Sequence, residues 1–413
     1  MMSRNLSPSL LRPESDVFFH RRSAARTLLR LAACGLSVGL LAADPAAPAP
    51  PATVLPPARD ASFAHEVEHA VDRGLTFLLA AQNEAGWWST ADHPAVTALV
   101  LSAFLGHPEG RYRTNLPPAL KRGFLFLVDC AEPDGRIYRT SLANYNTAIS
   151  AMAFALSGDP GYEPIVKRAR AYLLRCQVDL GEQGVLDSPF DGGVGYNDKY
   201  QYSDLNNTLV ALEALYHTRP AGEGNSQPEL DWKAAIHFIQ SCQNLPGRNP
   251  EPWVSEDPAD RGGFVYLPGE SKAGATTNAV TGRIALRSYG SISYAGLLSY
   301  IYADLDRHDA RVAAAFDWLR GNFTLDENPA MGQQGYYYYL HLMAKTLKAL
   351  DLDRLELKDG RSVNWRHDLA MRLINLQQRD GSWVNANARW WENDPVLVTA
   401  YAVMSLEIIH AGL

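Results

Sequence analysis

Two kinds of helical stretch alternate along this chain. One kind carries charge on a single side, as at Lys167-Arg168-Ala169-Arg170 or from Arg311 to Arg320. The other is apolar nearly all round, as in Val96-Thr97-Ala98-Leu99-Val100-Leu101, Asn207-Thr208-Leu209-Val210-Ala211-Leu212 and Val398-Thr399-Ala400-Tyr401-Ala402-Val403. A helix without a polar face has to be enclosed, so the pattern predicts pairs made of an outer helix followed by an inner one. Six such pairs align on the anchors Phe77, Phe126, Tyr172, Phe238, Trp318 and Leu373. Five positions after these anchors stand Gln82, Ala131, Gln177, Gln243, Phe323 and Gln378. Each anchor is then followed by a glycine and an aromatic residue, from Gly86-Trp87-Trp88 through Gly135, Gly193, Gly263 and Gly335 to Gly381-Ser382-Trp383, which marks a turn. Six hairpins with parallel inner helices predict an all-α (α/α)6 toroid, a barrel of inner and outer helix rings.

Composition changes this picture mainly at the N-terminus. Residues 1–43 carry six arginines against Glu14 and Asp16, a net +4, so the remainder of a chain of net charge −7 carries −11. The basic stretch His20-Arg21-Arg22-Ser23-Ala24-Ala25-Arg26 precedes an apolar run from Leu31 to Ala43, which reads as a signal peptide over 1–43. That run is too short to span a bilayer, and no integral membrane span is expected. Residues 44–58, rich in Ala and Pro, read as a linker, and 59–413 as a single toroid domain. The expected location is therefore periplasmic or extracellular. So acidic a body repels phosphate backbones and excludes nucleic acid as a partner. Four cysteines without a C-x-x-C pair offer no disulfide framework or zinc ribbon, and Cys130, Cys176 and Cys242 share one repeat slot as small packing residues.

The stretches Gly74-Leu75-Thr76-Phe77-Leu78 to Gln82 to Gly86-Trp87-Trp88, and Leu373-Ile374 to Gln378 to Gly381-Ser382-Trp383, resemble the Gln-Trp repeats of prenyltransferase β-subunits and squalene cyclases. The resemblance covers nearly the whole chain after the linker and implies an α/α toroid whose chemistry, if any, sits in the hollow. The signatures of the known activities are missing. The nearest string to the cyclase Asp-x-Asp-Asp motif, Asp304-Leu305-Asp306-Arg307, is broken by the arginine. No Asp-x-Cys zinc pair occurs, and Gly181-Glu182-Gln183 follows Leu180 where a thioester needs cysteine. No metal or cofactor is expected.

Candidate site residues follow from slots that break the repeat. Aligning inner helices on Thr97, Thr147, Thr208, Ser293 and Thr399 puts Asp92, Leu142, Ser203, Ser288 and Asp394 five positions earlier, where Asp92 and Asp394 read as helix caps. One step further in come His93, Asp204 and Tyr289, the candidate catalytic groups, and three later Asn146 and Asn207. Arg287, Tyr294, Tyr336, Tyr337, His341, Trp390 and Glu392 join them as ligand-binding candidates, because the shared end of parallel inner helices gathers them near one rim. Small residues three and four positions after each Thr are expected to leave room for an apolar floor, and the connections 178–202 and 244–287 are lid candidates.

Three functions fit these residues. An apolar, aromatic hollow suits an isoprenoid-like small molecule, with an acid such as Asp204 as proton donor. Aromatic residues in an exported toroid also suit a glycan, as in a carbohydrate lyase or hydrolase, which needs paired acid and base groups. A non-catalytic toroid binding a ligand or protein completes the set. Whether the chain is an enzyme is left open by the sequence.

Overall fold

The computed structural model describes residues 61–196, 202–219 and 229–413; the expected signal peptide and linker lie outside them. Six helical hairpins follow one another. They are α1 (Ala61–Ala80) with α2 (Pro94–Leu105), α3 (Pro118–Asp129) with α4 (Ala143–Ser157), and α5 (Glu163–Leu174) with α6 (Leu205–His217). Then come α7 (Trp232–Ser241) with α8 (Gly290–Tyr302), α9 (Ala310–Gly321) with α10 (Tyr336–Ala349), and α11 (Trp365–Leu376) with α12 (Pro395–His410). The even-numbered helices pack in the cyclic order α2, α4, α6, α8, α10, α12 and back to α2, which closes the inner ring. The odd-numbered helices lie outside, each against neighbouring inner helices, and α1 lies against α12. The fold is an all-α toroid, as the apolar patterning predicts. Among the described residues the named strands form two small antiparallel ribbons, β1 (Ala275–Thr277) with β2 (Ile284–Leu286) inside the long connection before α8, and β3 (Leu355–Glu356) with β4 (Ser362–Val363). No helix among the described residues is long and apolar enough to cross a membrane.

Recurring contacts explain the sequence pattern. Gln82 Nε2 donates to the carbonyls of Gly86 and Ala119, Gln177 to Gly192 and Asp231, and Gln243 to Gly262 and Arg311, at 2.8–3.0 Å. Each glutamine thus ties its own turn to the next outer helix. In the last hairpin the residue that does this is Gln377, which reaches Gly381 and Ala70 and so joins the end of the ring to its beginning. Alignment on Leu373 picks Gln378, one residue too far: the indoles of Trp88 and Trp383 donate to the carbonyls of Leu78 and Leu373, so Leu373 matches Leu78 and the anchor slot belongs to Arg372. The aligned hydroxyls have a matching role: Thr97, Thr147, Thr208, Ser293 and Thr399 accept from the backbone N–H of Trp88, Ile137, Val194, Phe264 and Trp383.

The turn glycines are forced by close approach. In the third hairpin the left-handed glycine is Gly192 (φ +89°), where a Cβ would lie 1.9 Å from the Ala234 carbonyl oxygen of α7. The sequence alignment places this role on Gly193, one residue late.

Candidate functional site

The inner helices bury nearly every position, and the residues that retain surface fall on one stripe of each. On α4 these are Tyr145, Ile149 and Met152, on α6 Asn206, Val210 and Glu213, on α10 Tyr338 and Lys345, and on α12 Leu397, Tyr401 and Met404. Spacing of three and four residues places each set on one helix face. Val210 keeps 7% and Tyr401 6% of their surface, whereas Leu212 and Val403 keep none, so this stripe faces the axis of the ring. Side chains bridge the hollow. Tyr338 Oη reaches Asn206 Oδ1 at 3.4 Å, and Tyr145 Oη lies 3.4 Å from Tyr401 Oη. Deeper, Lys345 pairs with Glu213, which also accepts from Tyr302 at 3.2 Å. Seven residues separate Asn206 from Glu213, so the polar bridges stand about 10 Å apart along α6. Val210 lies between them.

Asp204 opens this hollow at the N-terminus of α6. Its Oδ1 accepts from Asn207 N–H at 2.9 Å and its Oδ2 from Asn207 Nδ2 at 2.7 Å, so it is the helix cap. Burial nevertheless pushes its carboxyl up to about 6, outweighing these bonds and one from the Tyr266 hydroxyl. The Tyr266 hydroxyl lies 2.7 Å from that of Tyr196. Tyr289, the N-cap of α8, is buried, and burial and the nearby Asp204 charge both raise its phenol. Asn207 keeps a buried Oδ1 without a hydrogen-bond partner. Asp204, Asn207 and Tyr289 therefore come together as the slot analysis expects. Tyr196, Tyr266 and Tyr338 complete the cluster and are missed by it.

Other candidates stand elsewhere. His93, not Asp92, is the N-cap residue of α2, and Asp92 is exposed rather than capping; its neighbour Pro94 starts the helix at once. The imidazole of His93 lies 4.8 Å from Trp391, and burial lowers its pKa. Ser203 and Ser288 likewise stand one residue before the caps of α6 and α8. Asp394 does cap α12, accepting from Val396 N–H. Asn146 accepts from Ala95 N–H at 2.9 Å, which caps the neighbouring helix α2 across the hairpin boundary. Glu392 does the same for α10: its carboxylate accepts from the N–H groups of Tyr337 and Tyr338 and from Asn385 Nδ2, and burial raises its pKa.

Tyr336 and Tyr337 turn outward. They line a cleft of about 430 Å³ with Arg372, Gln333 and Asn387, and the neighbouring Tyr338 faces the hollow. Three steps of about 100° cannot point one way, and packing against α11 selects which tyrosine goes in. His341 stacks on Tyr401 at 5.4 Å and lies 3.3 Å from Ser405 Oγ; burial holds its pKa well below the ordinary value. Tyr294 is buried against Tyr339 with its hydroxyl unpartnered. Arg287 is exposed and outside the cluster. The expected small-residue floor is also corrected: Gly296 is filled by Phe264, 2.5 Å from a built Cβ, and Leu101 and Val403 meet the outer-helix glycines Gly123 and Gly74. These slots face the outer ring.

Among the described residues one group has metal-ligand types, Glu68, Asp72 and His107. His107 Nδ1 accepts from Glu109 N–H, so its Nε2 carries the proton toward Asp72 Oδ1 at 3.0 Å, and Arg111 holds the same oxygen at 3.1 Å. This is an ion-pair network, with no lone pair of His107 left for a cation.

No family model matches the sequence, and no curated protein does. Solved structures do match. The type II terpene cyclase MstE of Scytonema, as a variant holding its substrate geranylgeranyl dihydroxybenzoate, superimposes with a TM-score of 0.50 at 14% identity, over 85% of this chain and 99% of its own. A GH76 α-mannanase of Bacteroides thetaiotaomicron gives 0.52 at 10% identity, over 84% and 96%. An α-1,6-mannanase of a Salegentibacter species, inactivated at two consecutive aspartates and bound to α-1,6-mannotriose, gives 0.52 at 11%, over 84% and 99%. At such identities the likeness shows architecture and leaves chemistry to the site. The closed inner ring, the outer helices over it and these superpositions make this chain an all-α toroid of the fold seen in terpene cyclases and GH76 mannanases.

Proposed function

We propose that the hollow of this toroid takes an apolar, isoprenoid-like small molecule and that Asp204 protonates it at the rim. The observation that carries this reading is the pairing of a buried carboxyl, pushed up to about 6, with a hollow lined by Ile149, Val210, Leu397 and tyrosines. A carboxylic acid with a near-neutral pKa has a proton to give at physiological pH, and tyrosine faces stabilise positive charge developing on a hydrocarbon. Asn207 Oδ1, buried and unpartnered beside it, is an acceptor for a polar group of the ligand. We read the segment 1–43 as an export signal and propose a periplasmic or extracellular location.

A second reading is a toroid that binds the same ligand without reacting. It is favoured by the hydrogen bonds that already occupy both oxygens of Asp204. A glycan-cleaving reading has less support. The sequence contains no two consecutive aspartates, and Glu392, the other carboxylate raised at the rim, is saturated by N–H groups.

Geranylgeraniol incubated with the protein in D2O separates these readings. Proton donation by Asp204 gives deuterated product with the native chain and none with Asp204→Asn, while both bind the alcohol. Binding with no product from either supports the non-catalytic reading. Equal product from both variants, or no binding by either, overturns the proposal.

A further inference from the structure

Trp390 and Trp391 form a short 3-10 turn with Arg389 just before the N-terminus of α12, at the same end of the ring as Asp204. Both have left-handed backbone, φ 56° and 64°, a conformation that strains a residue with a Cβ. Both indoles are about half exposed, at 44% and 47%. Trp88, Trp365 and Trp383, by contrast, are fully buried and donate their indole N–H to backbone carbonyls. Burial therefore repays little of the strain at Trp390 and Trp391. Two polar groups flank them. The Arg389 guanidinium lies 4.5 Å from the Trp390 ring centroid, and His93, packed on Trp391, has an enclosed Nδ1 without a partner.

Resting on the reading of the hollow as an apolar pocket, we propose that these groups form a saccharide-binding platform at its mouth, and that the ligand is an amphiphile with a hydrocarbon tail and a sugar head. The C–H face of a pyranose lies on an indole, and its hydroxyls find a donor in Arg389, whose Nη1 already holds Gln334. The tail descends past Tyr338 and Tyr401 toward Val210. Free hydrocarbon leaves the rim groups unused, and free sugar leaves the hollow unused.

Calorimetric titration with n-octyl β-D-glucopyranoside below its micellar concentration, and with 1-octanol, tests this. The native chain is expected to bind the glycoside about tenfold or more tightly than the alcohol. Trp390→Gly and Trp391→Gly are suitable variants, because glycine adopts left-handed backbone freely and relieves the strain, so folding is retained. Each is expected to bring the two affinities within about twofold while leaving that for octanol unchanged. Equal affinities in the native chain, an unchanged preference in both variants, or an equal loss of both ligands overturns the platform and leaves the hollow standing. Binding of the glycoside without any binding of octanol keeps the platform and removes the apolar pocket. Binding of neither removes both.

Discussion

Replacing Asp204 by asparagine is expected to stabilise the protein, and to do so only above mildly acidic pH. The ordinary aspartate value is 3.8 and the folded value is about 6, a difference worth about 3 kcal/mol. Because the folded pKa is raised, the contribution of this group to stability is fully present below pH 3.8 and is lost as pH rises through about 6. At pH 7.5 the folded protein holds a buried carboxylate that the unfolded chain solvates freely. An amide removes this cost and keeps the shape. Its oxygen still accepts from Asn207 N–H, and rotation of the Asn207 amide presents the unpartnered Oδ1 to the new NH2 group. Urea unfolding followed by circular dichroism is expected to show Asp204→Asn more stable than the native chain by up to about 3 kcal/mol at pH 7.5, with the difference shrinking through pH 6 and absent near pH 3.8. A difference that does not depend on pH, or a variant less stable than the native chain at pH 7.5, refutes the buried acid. A stabilising replacement at this position is the signature of a group retained for function.

Three further outcomes follow from the packing. Gly192→Ala places a methyl 1.9 Å from the Ala234 carbonyl in a left-handed turn and is expected to lower stability by roughly 3 kcal/mol or more, read by thermal unfolding. Gln377→Ala removes two hydrogen bonds that close the ring and is expected to cost about 1–3 kcal/mol, whereas Gln378→Ala stays within about 0.5 kcal/mol; the reverse order restores the sequence alignment. Lys345→Met strands the Glu213 carboxylate in the hollow and is expected to cost about 3–5 kcal/mol, while Glu213→Leu combined with Lys345→Leu costs less, by the same urea assay.

The sequence by itself determined the ring. Apolar-all-round helices such as Val398 to Val403 have one stable place, behind a second layer, and the Gln and Thr slots recur because each satisfies backbone groups that every turn leaves open. Deviation from the repeat also located Asp204, Asn207 and Tyr289, since a polar residue in an otherwise structural slot has to find its own partner. The same rule applied two positions before the aligned Thr finds Tyr145 and Asn206, and the lone Glu213 in the apolar α6 was legible in this way. What the sequence could not decide was direction and exact register. Tyr336 to Tyr339 differ by one helical step each, and only packing against α11 and across the ring sends Tyr338 inward and Tyr336 to Arg372. Glu392 and Asn146 look like site residues until the structure shows the neighbouring helices whose N–H groups they cap. Whether Asp204 is an acid or only a cap depends on how much water the surrounding tyrosines exclude, and desolvation is a property of the closed ring that no single segment contains.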